Sequence, residues 1–221
     1  MSGEQGWDRA RWLWWLALLG GISFFIAVFL RLDGPAIWAW KTSGVGLLAV
    51  WAAVNARGKY GWMIAAALGF GALGDYLLDA KGLEVGAVAF VIGHIIAITL
   101  YLMNRRAQTT PSQRLLGWLT MPATLAIVWG MLSPAAGWWH AAIYSLFVAA
   151  MAAAAWTSRF PRYRTGIGAM LFLASDLFIF AGEGAVLSKD VTLWLVWPLY
   201  FGGQALIAWG VVSTLAKEAK A

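Results

Sequence analysis

Two aspartates stand in stretches that otherwise carry almost nothing but apolar residues. Asp75 lies in AAALGFGALGDYLL (65–78) and Asp176 in GIGAMLFLASDLFIF (166–180). Both stretches suit a bilayer interior, where an acidic side chain costs roughly 2.5–3.5 kcal/mol even on the lenient insertion scale. A lipid-facing position is therefore disfavoured, and both carboxyls are expected inside a helical bundle. Intramembrane acids of this kind mark functional sites as a rule. Two carboxyls in one low-dielectric site share a proton more readily than both ionise, so the pair offers an acid and a base together. That is the equipment for protonating a substrate and activating water. The plainer alternative is a structural one, with one Asp bonded to Lys41 or to a backbone group to hold helices together.

Further polar side chains recur in other apolar stretches: Lys41, His94, Tyr144, Tyr200 and Gln204, with Ser175 directly before Asp176. Asp75 and Asp79 are spaced i,i+4 and share a helix face, as do Tyr200 and Gln204. Asp79 falls at a helix end and is expected to be solvated, with Glu183 likewise at an outer mouth. Each of the others has a structural alternative. His94 could be a hydrogen-bonded packing residue, Lys41 could snorkel to the interface, and the tyrosines could belong to an interfacial belt. There are no cysteines, which excludes disulfides, thiolate zinc sites and cysteine nucleophiles. Two histidines, His94 and His140, give no metal-ligand spacing, and no cofactor is expected. FGALGD (70–75) has a superficial likeness to the Gly-x-Gly-Asp of intramembrane aspartyl proteases, but its glycines are three apart and the companion motifs are missing.

The elements that must position these residues follow from composition. The chain has 221 residues, 62% hydrophobic and only 12% charged, against about a quarter charged in soluble domains. The reading is an all-α polytopic membrane protein, a single transmembrane domain over residues 1–221. Eight spans of about 17–25 residues fit a ~30 Å hydrocarbon core: 12–30, 36–54, 61–78, 84–103, 114–132, 138–157, 166–183 and 191–215. Asp79–Leu83 is expected as a turn. With this drawing, twelve Lys and Arg fall on the side of the chain termini, three (Arg31, Lys81, Lys189) on the other, and Lys41 within a span. The positive-inside rule then places both termini in the cytoplasm of a multi-pass cell-membrane protein, the expected membrane being a bacterial inner one. The basic residues read as topology determinants, so no nucleic-acid partner is expected. No cleavable signal is evident, because Arg9 and Arg11 precede an apolar stretch of full spanning length.

Short matches point to a tandem four-helix repeat. GALGDYLL and FLASDLFI both place a small residue directly before Asp, and FVIGHIIAI and YFGGQALIA both place an aromatic four residues before the polar side chain with Gly directly before it. At ~1.5 Å of rise per residue, Lys41, Asp75, His94, Tyr144, Asp176, Tyr200 and Gln204 all fall in the middle or the non-cytoplasmic half. Polar residues from six helices at one depth imply a single central cavity.

Across nearly its whole length the sequence resembles the YhhN-like family of eight-span membrane proteins, which includes the lysoplasmalogenases. The resemblance is carried by Lys41, Gly74-Asp75-x-x-Leu78, Phe90-x-x-Gly93-His94, Tyr144 and Met151, Phe172-x-x-Ser175-Asp176 and Tyr200-x-x-x-Gln204. The family's Lys is typically followed by Pro, whereas Lys41 is followed by Thr42. The resemblance implies hydrolysis of the vinyl ether bond of a lysoplasmalogen, giving a fatty aldehyde and a glycerophospho-ethanolamine or -choline. Asp75 and Asp176 would be the catalytic pair. His94, Tyr144, Ser175, Tyr200 and Gln204 would contact substrate or water, and Lys41 would anchor the phosphate. The partners implied are a lysophospholipid substrate and membrane lipids. A proton-coupled transporter and a non-catalytic lipid-binding protein are the alternatives; discontinuous helices would favour the transporter.

The topology makes a direct prediction. Alkaline phosphatase fused after the last helix should be inactive, and a fluorescent protein fused there should fold and emit; the opposite pair of results would invert the orientation.

Overall fold

The computed structural model describes residues 8–133 and 138–219. Among these residues, eight α-helices are each long and apolar enough to cross a membrane. They are α1 (Arg11–Phe29), α2 (Pro35–Val54), α3 (Gly58–Lys81), α4 (Leu83–Met103), α5 (Pro111–Leu132), α6 (Trp138–Thr157), α7 (Ile167–Glu183) and α8 (Lys189–Glu218). The residues described outside them form no strand, only an isolated bridge between Arg105 and Ser158. The end of the bundle holding residues 8–10 and the last turn of α8 is here called the proximal end. The turns after α1, α3 and α7 lie at the distal end.

Local chemistry sets the helix limits. Pro35 and Pro111 occupy first-turn positions, where the missing N–H costs nothing. Thr110 and Gln113 form a capping box at the start of α5, and the Ser188 side chain accepts from Val191 N–H at the start of α8. Gly82, at φ 96°, is the only residue between α3 and α4. The expected turn over 79–83 is therefore one residue long, and Asp79 belongs to the last turns of α3. Helix α3 also begins at Gly58, inside the stretch expected as loop, and α8 runs to 30 residues. A π-helical turn, Arg162–Gly166, leads into α7.

Each four-helix half packs its neighbours in sequence, α1 to α2 to α3 to α4 and α5 to α6 to α7 to α8. The halves meet through α4 against α6 and α2 against α8, two contacts that exchange under a tandem relation. The contacts of α3 and α1 with α8 have no such counterpart, since the α7 and α5 backbones do not approach α4. The repeat is thus partial. Helix α5 is the least buried of the eight, with Trp118 79% exposed. Exposed Trp, Leu and Ile side chains of this kind cover the flank, as a lipid-facing surface requires.

Two crossings depend on glycine. A Cβ on Gly168 would lie 2.6 Å from the Gly203 carbonyl, and one on Gly203 would lie 2.6 Å from that of Gly168, so α7 and α8 touch backbone to backbone. At Gly74, beside Asp75, a Cβ would sit 2.8 Å from the Phe90 ring, which fixes α4 against α3. The proximal end is clasped by polar groups. Asn55 exchanges hydrogen bonds with the Arg9 backbone, Arg159 binds Asn104, and Arg159 also pairs with Glu218. Arg159, expected only to set topology, therefore also ties a loop to the end of α8.

Gly168→Val should destabilise the bundle by about 1–3 kcal/mol, because a backbone carbonyl cannot move aside as a side chain can. Gly202→Ala, where an added Cβ meets nothing within 4 Å, should be neutral or mildly stabilising. Thermal unfolding in detergent distinguishes them.

Candidate functional site

A cavity of about 1220 Å³ enters the bundle from the distal end, and all eight helices contribute to its wall. Its size exceeds the usual range for a small-molecule pocket, roughly 300–1,000 Å³. Charged residues of the distal turns, among them Arg31, Asp33, Glu84 and Lys189, stand at its mouth. Apolar and aromatic side chains, including Phe24, Ile37, Trp138 and Trp197, line much of the rest. Asp75 and Asp176 both face this space, at 3% and 5% exposure.

The two aspartates are held alike. The Tyr200 hydroxyl donates to Asp75 Oδ2 at 2.8 Å, and the Tyr144 hydroxyl donates to Asp176 Oδ2 at 2.8 Å. Behind each tyrosine stands a second polar side chain at a longer distance. Gln204 Nε2 lies 3.5 Å from Tyr200 Oη, and His94 Nε2 lies 3.5 Å from Tyr144 Oη. Ser175 Oγ gives its shorter bond to the Phe172 carbonyl at 2.8 Å and approaches Asp176 Oδ1 at 3.4 Å. Aromatic rings fill the space between the two arms. Phe172 is 5.0 Å from both His94 and Tyr200, and Phe90 packs edge-on to Phe172 and Tyr200. Tyrosine suits this position because its ring packs as an apolar body while its hydroxyl reaches the acid.

Toward the mouth, Lys41 Nζ reaches both oxygens of Asp79 at 2.9 Å. The pair is largely buried, at 17% and 22% side-chain exposure. Asp79 was expected to be solvated; the continuation of α3 through Lys81 instead keeps it on the cavity face, one turn above Asp75. Further out, Arg31 pairs with Asp190 at 2.8 Å, and Lys189 lies 3.8 Å from Glu183. Asp33, in the α1–α2 turn, accepts from the Trp38 indole at 2.6 Å and from Gly34 N–H at 2.7 Å. These two donors, Trp38 foremost, hold its carboxyl below the usual range.

Of the eight residues selected from the sequence, Lys41, Asp75, Tyr144, Ser175, Asp176 and Tyr200 line the main cavity. His94 and Gln204 do not. They lie one layer deeper, toward the proximal end, around a separate small cavity. The sequence reading passed over Trp197, which is three residues before Tyr200 on the same face and donates to the Gly21 carbonyl at 2.7 Å. It also passed over Tyr101, seven residues after His94 on a shared helix face. In both cases helical spacing from a polar residue already selected was the available signal. Among the described residues, no group of three or more His, Asp or Glu is placed to hold a metal ion.

The model of the YhhN family fits residues 36–211, from the start of α2 to the last third of α8. No curated protein and no solved structure matches the chain.

The Lys41–Asp79 pair should behave as a coupled unit in stability. Lys41→Ala strands a largely buried carboxylate, so it should cost about 1–3 kcal/mol more in the wild-type background than in Asp79→Ala. A double-mutant cycle by thermal unfolding measures that difference.

Proposed function

The chain belongs to the YhhN family, and from that premise we propose that it is a membrane-embedded hydrolase of lysoplasmalogen type, with Asp75 and Asp176 as the catalytic pair. The observation that carries this reading is the placement of two buried carboxyls, each fixed by a tyrosine hydroxyl, on one cavity large enough for a lipid. The substrate is a lysophospholipid with a vinyl ether chain. The chain would lie along the apolar wall, with the headgroup toward the charged mouth.

The reaction needs an acid and a base in turn. One aspartic acid gives its proton to the double-bond carbon farther from the ether oxygen, creating an oxocarbenium ion at the ether-bearing carbon. The other carboxylate takes a proton from water as the water oxygen bonds to that carbon, forming a hemiacetal. Collapse then reverses the roles. The first carboxylate removes the hemiacetal hydroxyl proton, the second gives its proton to the departing glycerol oxygen, and the C–O bond breaks. Aldehyde and glycerophospho-alcohol leave, and both carboxyls return to their starting states. An acid and base pair handling an oxocarbenium-like state parallels the carboxylates of glycosidases. Tyr144 and Tyr200 hold the carboxyls in place, and Ser175 supports Asp176. At the mouth, Lys41 suits the substrate phosphate while Asp79 suits a headgroup ammonium.

The continuity of α3 and α7 through both aspartates supports an enzyme over a transporter built on broken helices. The reading places the protein in the cell membrane, the bacterial inner membrane being the setting its short basic loops suit best.

Purified protein in detergent should release fatty aldehyde from a lysoplasmalogen. Asp75→Asn and Asp176→Asn should each lower turnover by roughly 10²–10⁴-fold, with elution and melting unchanged. A well-folded wild type that releases no aldehyde would remove this substrate assignment. Turnover that survives both substitutions would remove the aspartate pair.

A further inference from the structure

The small cavity behind the aspartates has room for about 30 Å³ and is walled by buried residues of α3, α4, α6, α7 and α8. Phe90 lines both this cavity and the main one, and Phe172, which packs edge-on to Phe90, lines the inner one. Three polar side chains border it: His94, Gln204 and Tyr101. Tyr101 is fully buried, and its hydroxyl has no hydrogen-bond partner among the described residues. An orphaned buried hydroxyl costs about 1–3 kcal/mol, so its survival beside a cavity calls for a partner.

The directions of the neighbouring hydrogen bonds narrow the choice of partner. Tyr144 and Tyr200 spend their hydroxyl protons on Asp176 and Asp75. Their oxygens must then accept, from His94 Nε2–H and from the Gln204 amide N–H₂. In a neutral imidazole this leaves Nδ1 as an acceptor, and Gln204 keeps its Oε1 as an acceptor. Neither atom has another partner among the described residues. One water, which donates twice and accepts once, would suit the three polar side chains that border a space of this size.

We propose that this inner cavity is a binding site for one water molecule, held by Tyr101 Oη, His94 Nδ1 and Gln204 Oε1, and that Tyr101 thereby acts as a positioning residue for both tyrosine–aspartate bonds. The water fixes the tautomer of His94 and the orientation of the Gln204 amide. Those two choices decide whether donors or acceptors face Tyr144 and Tyr200. Both carboxyl arms thus share one anchor that substrate never touches. The positioning role rests on the hydrolase reading; occupancy of the cavity does not.

The test has two arms. A structure of the full chain at a resolution that shows ordered water should place one water within roughly 3.2 Å of all three atoms. Tyr101→Phe, which keeps the ring against Phe160, should displace or disorder that water. In the aldehyde-release assay, Tyr101→Phe should lower kcat about 3–10-fold with KM unchanged, the loss expected from one hydrogen bond acting through a positioned group. A dry cavity in the wild type overturns the proposal whatever the kinetics show. A water in the same place in Tyr101→Phe, with kcat unchanged, overturns the positioning role. If the wild type releases no aldehyde, the hydrolase reading fails and the density alone decides the water site.

Discussion

An ionisable side chain in an apolar slab must be enclosed and given partners, and much of this bundle is arranged around two such side chains. The short hydrogen bonds to Asp75 and Asp176 come from other helices, Tyr200 on α8 and Tyr144 on α6, with only the longer Ser175 contact at 3.4 Å supplied from within α7. Bringing those hydroxyls to 2.8 Å demands close helix approach, which small residues allow. Gly71 is one example, since a Cβ there would lie 2.9 Å from Gln204 Nε2. Gly74 does the same for Phe90, whose ring walls off the site beside Asp75. Carboxyl, hydroxyl, glycine and ring are thus parts of one packing solution.

The fold was largely legible because its signals are strong. Eight apolar segments of spanning length, separated by Pro, Gly and basic residues, leave little choice of helix number. Depth along each helix followed from rise per residue, and it grouped the polar side chains at one level. What spacing along single helices could not supply was the side-to-side arrangement. Depth alone could not tell that Lys41 meets Asp79 rather than Asp75, or that His94 and Gln204 stand behind the tyrosines instead of facing the main cavity. Those outcomes depend on helix rotation and on which helices adjoin. A chain that is apolar on nearly every face carries little periodic contrast from which to read rotation.

Helix ends were the other weak point, with a specific cause. The α3–α4 turn needs only Gly82 because a positive φ lets the chain reverse in one residue. The charged run around Asp79 and Lys81 looked like a loop by composition, yet it is helix. That single misplacement is what moved Asp79 from the expected solvent to the cavity wall, where it binds Lys41.

The order of helices along the chain makes the two aspartates unequal during synthesis. Tyr144 precedes Asp176 by 32 residues, so the second acid emerges after its partner has been made. Tyr200 follows Asp75 by 125 residues, and at ~5–20 residues per second the first acid waits roughly 6–25 s for it. Throughout that interval α3 carries a carboxyl with no hydroxyl to meet it. A nascent chain halted before α8 lacks the hydroxyl that meets this acid in the finished bundle, so the first half of the chain is chemically incomplete until the last helix is made.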